Sequence, residues 1–156
     1  MIVLAPAPGI RVPRSEAIVR DGDRALIVCS DSFRLPTARS AVNMDLVLSF
    51  ALPDRTLVTL DAFVLPVSYW DARRLEVPPS VDVALWAPEE VFDENGIGSG
   101  YRAPLAYAYD MDRFTVLVRV GDQSAHAWFR CMSTVVCGLD ERSQLAEIWL
   151  EGVRFE

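Results

Sequence analysis

Apolar and polar residues alternate with a period of two along most of this chain, and turn residues break the alternation at intervals. That pattern constrains the fold more than any other feature, because a helix would need a period near 3.6. In NMDLVLSFAL, Asn43 to Leu52, the residues Met44, Leu46, Leu48, Phe50 and Leu52 fall on one face. Asn43, Asp45 and Ser49 fall on the other with Val47 and Ala51, which is the signature of a half-buried strand. Pro53-Asp54-Arg55 then supplies turn chemistry before a second strand, TLVTLDAFVL.

Two further hairpins read the same way. SEAIVR and RALIVCS flank Asp21-Gly22-Asp23, and an Asp-Gly pair between β-branched runs is a strong hairpin signal. APLAYAY and RFTVLVRV flank Asp110-Met111-Asp112. VDVALWA, Val81 to Ala87, reads as a strand bounded by Pro78-Pro79 and Pro88. Gly121-Asp122 turns the chain into QSAHAWFRCM, so the last hairpin and this strand are expected to form a meander.

Two segments are less one-sided. LDERSQLAEIWLEG fits a helix capped by Asp140, striped by Leu145, Ile148 and Trp149 and stopped by Gly152. It also fits a strand in which Ala146, Ile148 and Leu150 alternate with Glu147, Trp149 and Glu151, with Gly152 as a bulge. The strand reading is preferred, because the rest of the chain is β and the last residues need a partner. TARSAVN, Thr37 to Asn43, has a weak helical pattern. The expected fold is a single all-β domain over residues 1–156, an antiparallel sandwich or closed barrel of about eight to ten strands with at most one or two short helices.

Composition excludes several chemistries. The chain has 156 residues and 51% hydrophobic content, enough for a substantial core. All 15 basic residues are arginine, so a lysine Schiff base, a lysine general base and a Walker A lysine are impossible. The net charge of -7 repels phosphate backbones, and no nucleic-acid partner is expected. No apolar run reaches the roughly 18 residues of a membrane span, and no membrane association is expected. The start, MIVLAPAPGIRVPR, has no basic region before its apolar residues, so the chain is expected to be cytoplasmic. Three cysteines, Cys29, Cys131 and Cys137, are too few and too scattered for a disulfide framework, and they read as buried or half-buried thiols.

Candidate functional residues fall into three groups. The first is the glycine-rich stretch VFDENGIGSGYR, with Gly96, Gly98, Gly100, Tyr101 and Arg102. Its glycine spacing is wrong for a dinucleotide turn, Pro104 follows where a helix should start, and the acids upstream repel phosphate. As a calcium loop it lacks a third ligand after Asp93 and Asn95 and places Pro104 where the closing glutamate belongs. It is expected to be an inter-strand loop, or a lid if a pocket lies beneath it; no metal or other cofactor is expected.

The second group is Tyr69, Trp70, Arg73 and Arg74. Adjacent aromatics on a strand point to opposite sides, so at least one should be exposed, and an exposed aromatic beside arginines suits an interface; the alternative, which is preferred, is that Trp70 closes the end of the core. The third group, Tyr107, Tyr109, Arg119, His126 and Trp128, would line a cavity if the strands enclose one. The tyrosines serve equally well as ordinary core, with the small residues Ala106 and Ala108 on the opposite face letting another layer approach. His126, the sole histidine, excludes multi-histidine metal sites within one chain.

Two functions fit these residues. One is a non-catalytic β-rich module that binds a protein partner or self-associates. The other is a small barrel enclosing an apolar or aromatic molecule, such as a cyclase or isomerase that works without metal.

Overall fold

Three of the hairpin turns are four residues long and close on the same backbone state, and the one at Asp21-Gly22 is one residue longer than its Asp-Gly signal suggests. Asp21–Arg24, Leu52–Arg55 and Met111–Phe114 each end on a residue in the left-handed region, with φ of 51°, 55° and 50° at Arg24, Arg55 and Phe114. Such a residue closes a hairpin loop built on a tight turn. Gly22 is not in that region, so the second aspartate-arginine step, rather than the glycine, makes the reversal.

The computed structural model describes residues 1–32 and 38–156. Its strands are β1 (Ala5–Pro6), β2 (Ser15–Arg20), β3 (Ala25–Ser30), β4 (Ala38–Asn43), β5 (Leu46–Ala51), β6 (Thr56–Phe63), β7 (Asp71–Ala72) and β8 (Val81–Asp82). They continue with β9 (Leu85–Trp86), β10 (Ile97–Tyr101), β11 (Leu105–Asp110), β12 (Thr115–Val120), β13 (Ala127–Met132), β14 (Val135–Leu139), β15 (Leu145–Leu150) and β16 (Arg154–Phe155). Two single-turn 3-10 segments, Val67–Tyr69 and Glu89–Val91, are the helical elements among the described residues. Among the described residues, no helix is long and apolar enough to cross a membrane.

The strands make two open sheets, so the all-β expectation holds and the arrangement fits a sandwich. Sheet I runs β10-β4-β5-β6-β3-β2-β16, with β9 attached to β6 and β1 to β9. Sheet II runs β7-β11-β12-β15-β14-β13-β8. Their inner faces meet in one apolar cluster that includes Leu26, Leu48, Phe50 and Leu60 from sheet I and Val116, Val118, Ile148 and Leu150 from sheet II.

Several expectations need correction, among them the strand number, which is sixteen among the described residues rather than about eight to ten. The meander of β11, β12 and β13 does not form: β15 pairs with β12, and β14 lies between β15 and β13. Strands β12 to β15 therefore make a Greek key, with residues 121–126 crossing over the two intervening strands. VDVALWA is not one strand; β8 joins sheet II and β9 joins sheet I, so the segment bridges the layers. Asn43 to Leu52 is also divided, because Met44 has φ 56° and begins a new strand pair. Only Leu46, Leu48 and Phe50 of the expected face are buried; Met44 and Leu52 are exposed in turns. Residues 38–43 of TARSAVN are strand rather than helix, paired to β5, and Thr37 lies outside the described residues.

The C-terminal segment is strand, as preferred, but Gly152 is no bulge. With φ 61° it carries the chain from β15 in sheet II to β16 beside β2 in sheet I. Cys131 and Cys137 are buried free thiols, whereas Cys29 is exposed on β3.

The outer face of sheet II is covered by residues 73–80, which connect its two margins. Six inter-strand steps separate β7 from β8, roughly 29 Å at about 4.8 Å each. Nine residue steps from Ala72 to Val81 reach roughly 30 Å when extended at about 3.3 Å each. The strap must therefore lie nearly straight. It drops Leu75 and Val77 onto Ala108, Leu117, Val136, Trp149 and Trp128, forming a second small apolar cluster. Of the small face read from Ala106 and Ala108, this layer comes close at Ala108, while Ala106 stays exposed.

Candidate binding groove

After β6 ends at Phe63, Pro66 sets the 3-10 turn Val67–Tyr69, and the Val67 N–H is fixed by Asp21 Oδ1 at 2.8 Å. The turn sends neighbouring aromatics in opposite directions. Trp70 is 7% exposed: it donates Nε1–H to the Leu65 carbonyl at 2.9 Å and stacks on Tyr107 at 5.1 Å between ring centres. Tyr109 meets the edge of the same indole at 6.3 Å. Tyr69 is 75% exposed. The expected division of the pair is thus present, but a 3-10 turn produces it rather than a strand.

Tyr69 stands on the rim of a groove of about 500 Å³ at one corner of the sandwich. Its walls are the β4–β5 turn at Met44 and Asp45, the end of β6 from Phe63 to Leu65, the turn at Tyr69 to Asp71, and the start of β11 from Leu105 to Tyr107. Met44, Phe63, Leu65 and Tyr69 are all exposed large apolar residues. Four such residues around one concavity make a contiguous apolar surface, unlike the single exposed apolar residues that any protein shows.

The buried hydroxyl of Tyr107 has no hydrogen-bond partner among the described residues. Burial, helped by the nearby charge of Asp45, pushes its pKa up to about 12. A desolvated hydroxyl without a partner is costly unless something else supplies one. The charged side chains of the groove, Asp45 and Asp71, are both acidic; Asp71 pairs with Arg73 at 2.9 Å.

The five residues considered as a cavity lining do not converge. Tyr107 and Tyr109 face inward beside Trp70, whereas Arg119 and Trp128 stand on the outer face of sheet II. There Trp128 donates to Glu147 Oε2 at 3.0 Å, and Arg119 lies 4.0 Å from Glu147 Oε1. His126 is exposed beside a separate cleft of about 240 Å³ with Ser124, Asp140 and Arg142. Among the interface candidates, Arg74 pairs with Glu76 at 3.1 Å on the strap, away from Tyr69.

The glycine-rich stretch is a strand rather than a loop from Ile97 onward. β10 runs parallel to β4 at the margin of sheet I. Asp93 is occupied: its Oδ1 accepts the N–H groups of Asn95 at 2.8 Å and Ile97 at 3.0 Å, a side-chain turn. Gly98 is required by close approach, since a Cβ there would lie 2.5 Å from the Val91 carbonyl oxygen. Tyr101 donates its hydroxyl to that same oxygen at 2.9 Å, and Arg102 is exposed. This stretch is therefore pinned to the 3-10 turn before it and is not a lid over the groove. No three His, Cys, Asp or Glu side chains converge as a metal site among the described residues.

No protein-family model matches the sequence, and no curated protein is significantly similar to it. The groove residues that sequence reading missed are Met44, Asp45, Phe63 and Leu65. The signal available for two of them was Phe63-Val64-Leu65-Pro66, an apolar run that overshoots its strand and ends on proline.

Proposed function

We propose that this protein is a non-catalytic binding module that acts through protein–protein contacts at the groove. The observation that carries this reading is the ring of exposed Met44, Phe63, Leu65 and Tyr69 around a concavity floored by Trp70 and Tyr107. Aromatic side chains held rigidly at a pocket are the usual energetic centre of a protein interface. A small aromatic ligand in the same groove is the competing reading, favoured by the unpartnered hydroxyl of Tyr107 beside a stacked indole.

A photo-crosslinking residue placed at Tyr69, with a control at exposed Arg142, separates the two in cells that express the protein. The binding module predicts a covalent polypeptide adduct at position 69 that disappears with Phe63→Ser. Light scattering then reports whether that polypeptide is a second copy. A protein that yields no position-specific polypeptide adduct and carries a small molecule in its native mass spectrum would overturn the reading.

A further inference from the structure

The groove contains an unpaired length of sheet margin. Gly121 donates its N–H to the Pro104 carbonyl at 2.8 Å, which fixes the phase of the β11–β12 ladder. Backbone groups alternate sides along an antiparallel strand. Residues 104, 106, 108 and 110 therefore point their backbone at β12, and Leu105, Tyr107 and Tyr109 point theirs the other way. Arg73 confirms the phase by donating its N–H to the Tyr109 carbonyl at 3.1 Å.

On that far side β7 covers β11 only at Ala108 and Tyr109. The N–H and C=O of Leu105 and the N–H of Tyr107 thus face the groove with no strand beside them among the described residues. Exposed margins of this kind are usually blunted by charge, proline or a covering segment. Here the margin is instead walled by Phe63, Leu65, Trp70 and Asp45.

We infer, resting on the protein-binding reading above, that the groove takes an extended polypeptide segment as an added strand alongside Leu105–Tyr107. Main-chain hydrogen bonds to Leu105 and Tyr107 would supply affinity, and alternate side chains would supply specificity. One of those side chains points inward over Phe63, Leu65 and Trp70, so it is large and apolar. Its neighbour is cationic, because Asp45 has no ion pair among the described residues, Asp71 is the other charge present, and the chain as a whole carries -7. The occupant is therefore a short extended stretch pairing an aromatic or large aliphatic residue with lysine or arginine.

The probe is a phage-displayed library of random linear decapeptides, selected on the full-length protein and counter-selected on the Phe63→Ser, Tyr69→Ser double variant. Both substituted side chains are exposed, so the variant should keep the circular dichroism spectrum and melting temperature of the parent. Expected are enriched sequences with a large apolar residue within two positions of a basic one, and weaker binding of those peptides to Asp45→Asn. The bound peptide should slow hydrogen exchange at the Leu105 and Tyr107 amides. N-methylation of the peptide should abolish binding at alternate positions only.

Peptides that bind the parent and not the double variant, yet tolerate N-methylation everywhere and leave those two amides unprotected, overturn strand addition while leaving the protein-binding reading intact. A library with no enrichment over the double variant also overturns strand addition. The crosslink at position 69 then decides the broader reading independently.

Discussion

Trp128 donates its indole N–H to Oε2 of Glu147 at 3.0 Å although the two residues lie on non-adjacent strands. Gly138 makes this reach possible. The register places Arg119, Glu147, Gly138 and Trp128 in one cross-strand row, with the glycine between the carboxylate and the indole. A Cβ on Gly138 would lie 2.7 Å from the Ala125 Cβ and 3.0 Å from Trp128 Nε1. Trp149 donates to the same Glu147 oxygen at 2.8 Å, so one buried carboxylate serves two indoles.

Gly138→Ala should therefore destabilise the fold by about 1–3 kcal/mol, the usual range for overpacking. Chemical denaturation followed by tryptophan fluorescence measures this directly. An unchanged midpoint would mean that the indole is free to move aside.

Asp110 pins the strap. Its Oδ2 accepts the Leu75 N–H at 2.9 Å, and its Oδ1 accepts those of Asp112 and Arg113. The Leu75 N–H, then those of Arg113 and Asp112, hold the carboxyl below its usual pKa against the opposing effect of burial. A depressed carboxyl contributes stability that is present above the unfolded value of about 3.9 and is lost as pH falls through the folded one. Asp110→Ala at neutral pH should reproduce the acid behaviour of the parent. In both, the Leu75 amide should exchange faster and the emission of Trp128 and Trp149 should shift to the red.

Tyr107 makes the alkaline counterpart. Its pKa of about 12 exceeds the ordinary value near 10, so the stability at stake is intact below about pH 10 and is lost as pH rises toward 12. The loss is about 3 kcal/mol at most. Tyr107→Phe removes the hydroxyl that lacks a partner. It should leave the fold as stable or slightly more stable, abolish this alkaline loss, and weaken any occupant of the groove that hydrogen-bonds there. Absorbance titration of tyrosinate in the parent and the variant assigns the late-titrating group.

Thiol chemistry should distinguish the cysteines sharply. Cys29 is exposed, while Cys131 and Cys137 are fully buried with their sulfurs 3.7 Å apart. The hydrogen bond with Cys131, followed by burial, raises the Cys137 thiol well above its usual pKa. An aromatic disulfide reagent should label Cys29 alone in the native protein, and all three thiols in denaturant. Cys29→Ser should give a native protein that does not react.

Alternation made the principal strands legible, because each has one face in the core and the side-chain period is local. Leu46, Leu48 and Phe50 were read inward correctly for that reason. Strand order was not legible: nothing local to Thr115–Val120 says that Leu145–Leu150, thirty residues on, will pair with it in place of Ala127–Met132. Val81 to Ala87 failed similarly, since a strand that changes sheet midway keeps its alternation throughout. At the groove, Tyr69 and Tyr107 were visible as unusual aromatics. Their neighbours Met44 and Asp45 come from a turn some sixty residues away from Tyr107, and only the folded chain brings the two together.

The strap also acts as a ruler. Its ends are themselves the outermost strands of the sheet it crosses, so its length and the strand count of that sheet are one quantity. A deletion of a single residue within 73–80 leaves it too short to keep both ends docked. A related chain that had lost one strand of this sheet would have to shorten the same segment by one or two residues, about 4.8 Å of width against about 3.3 Å per residue. Distant relatives of this protein are therefore recognisable by a covariation of lengths, even where no residue identity survives.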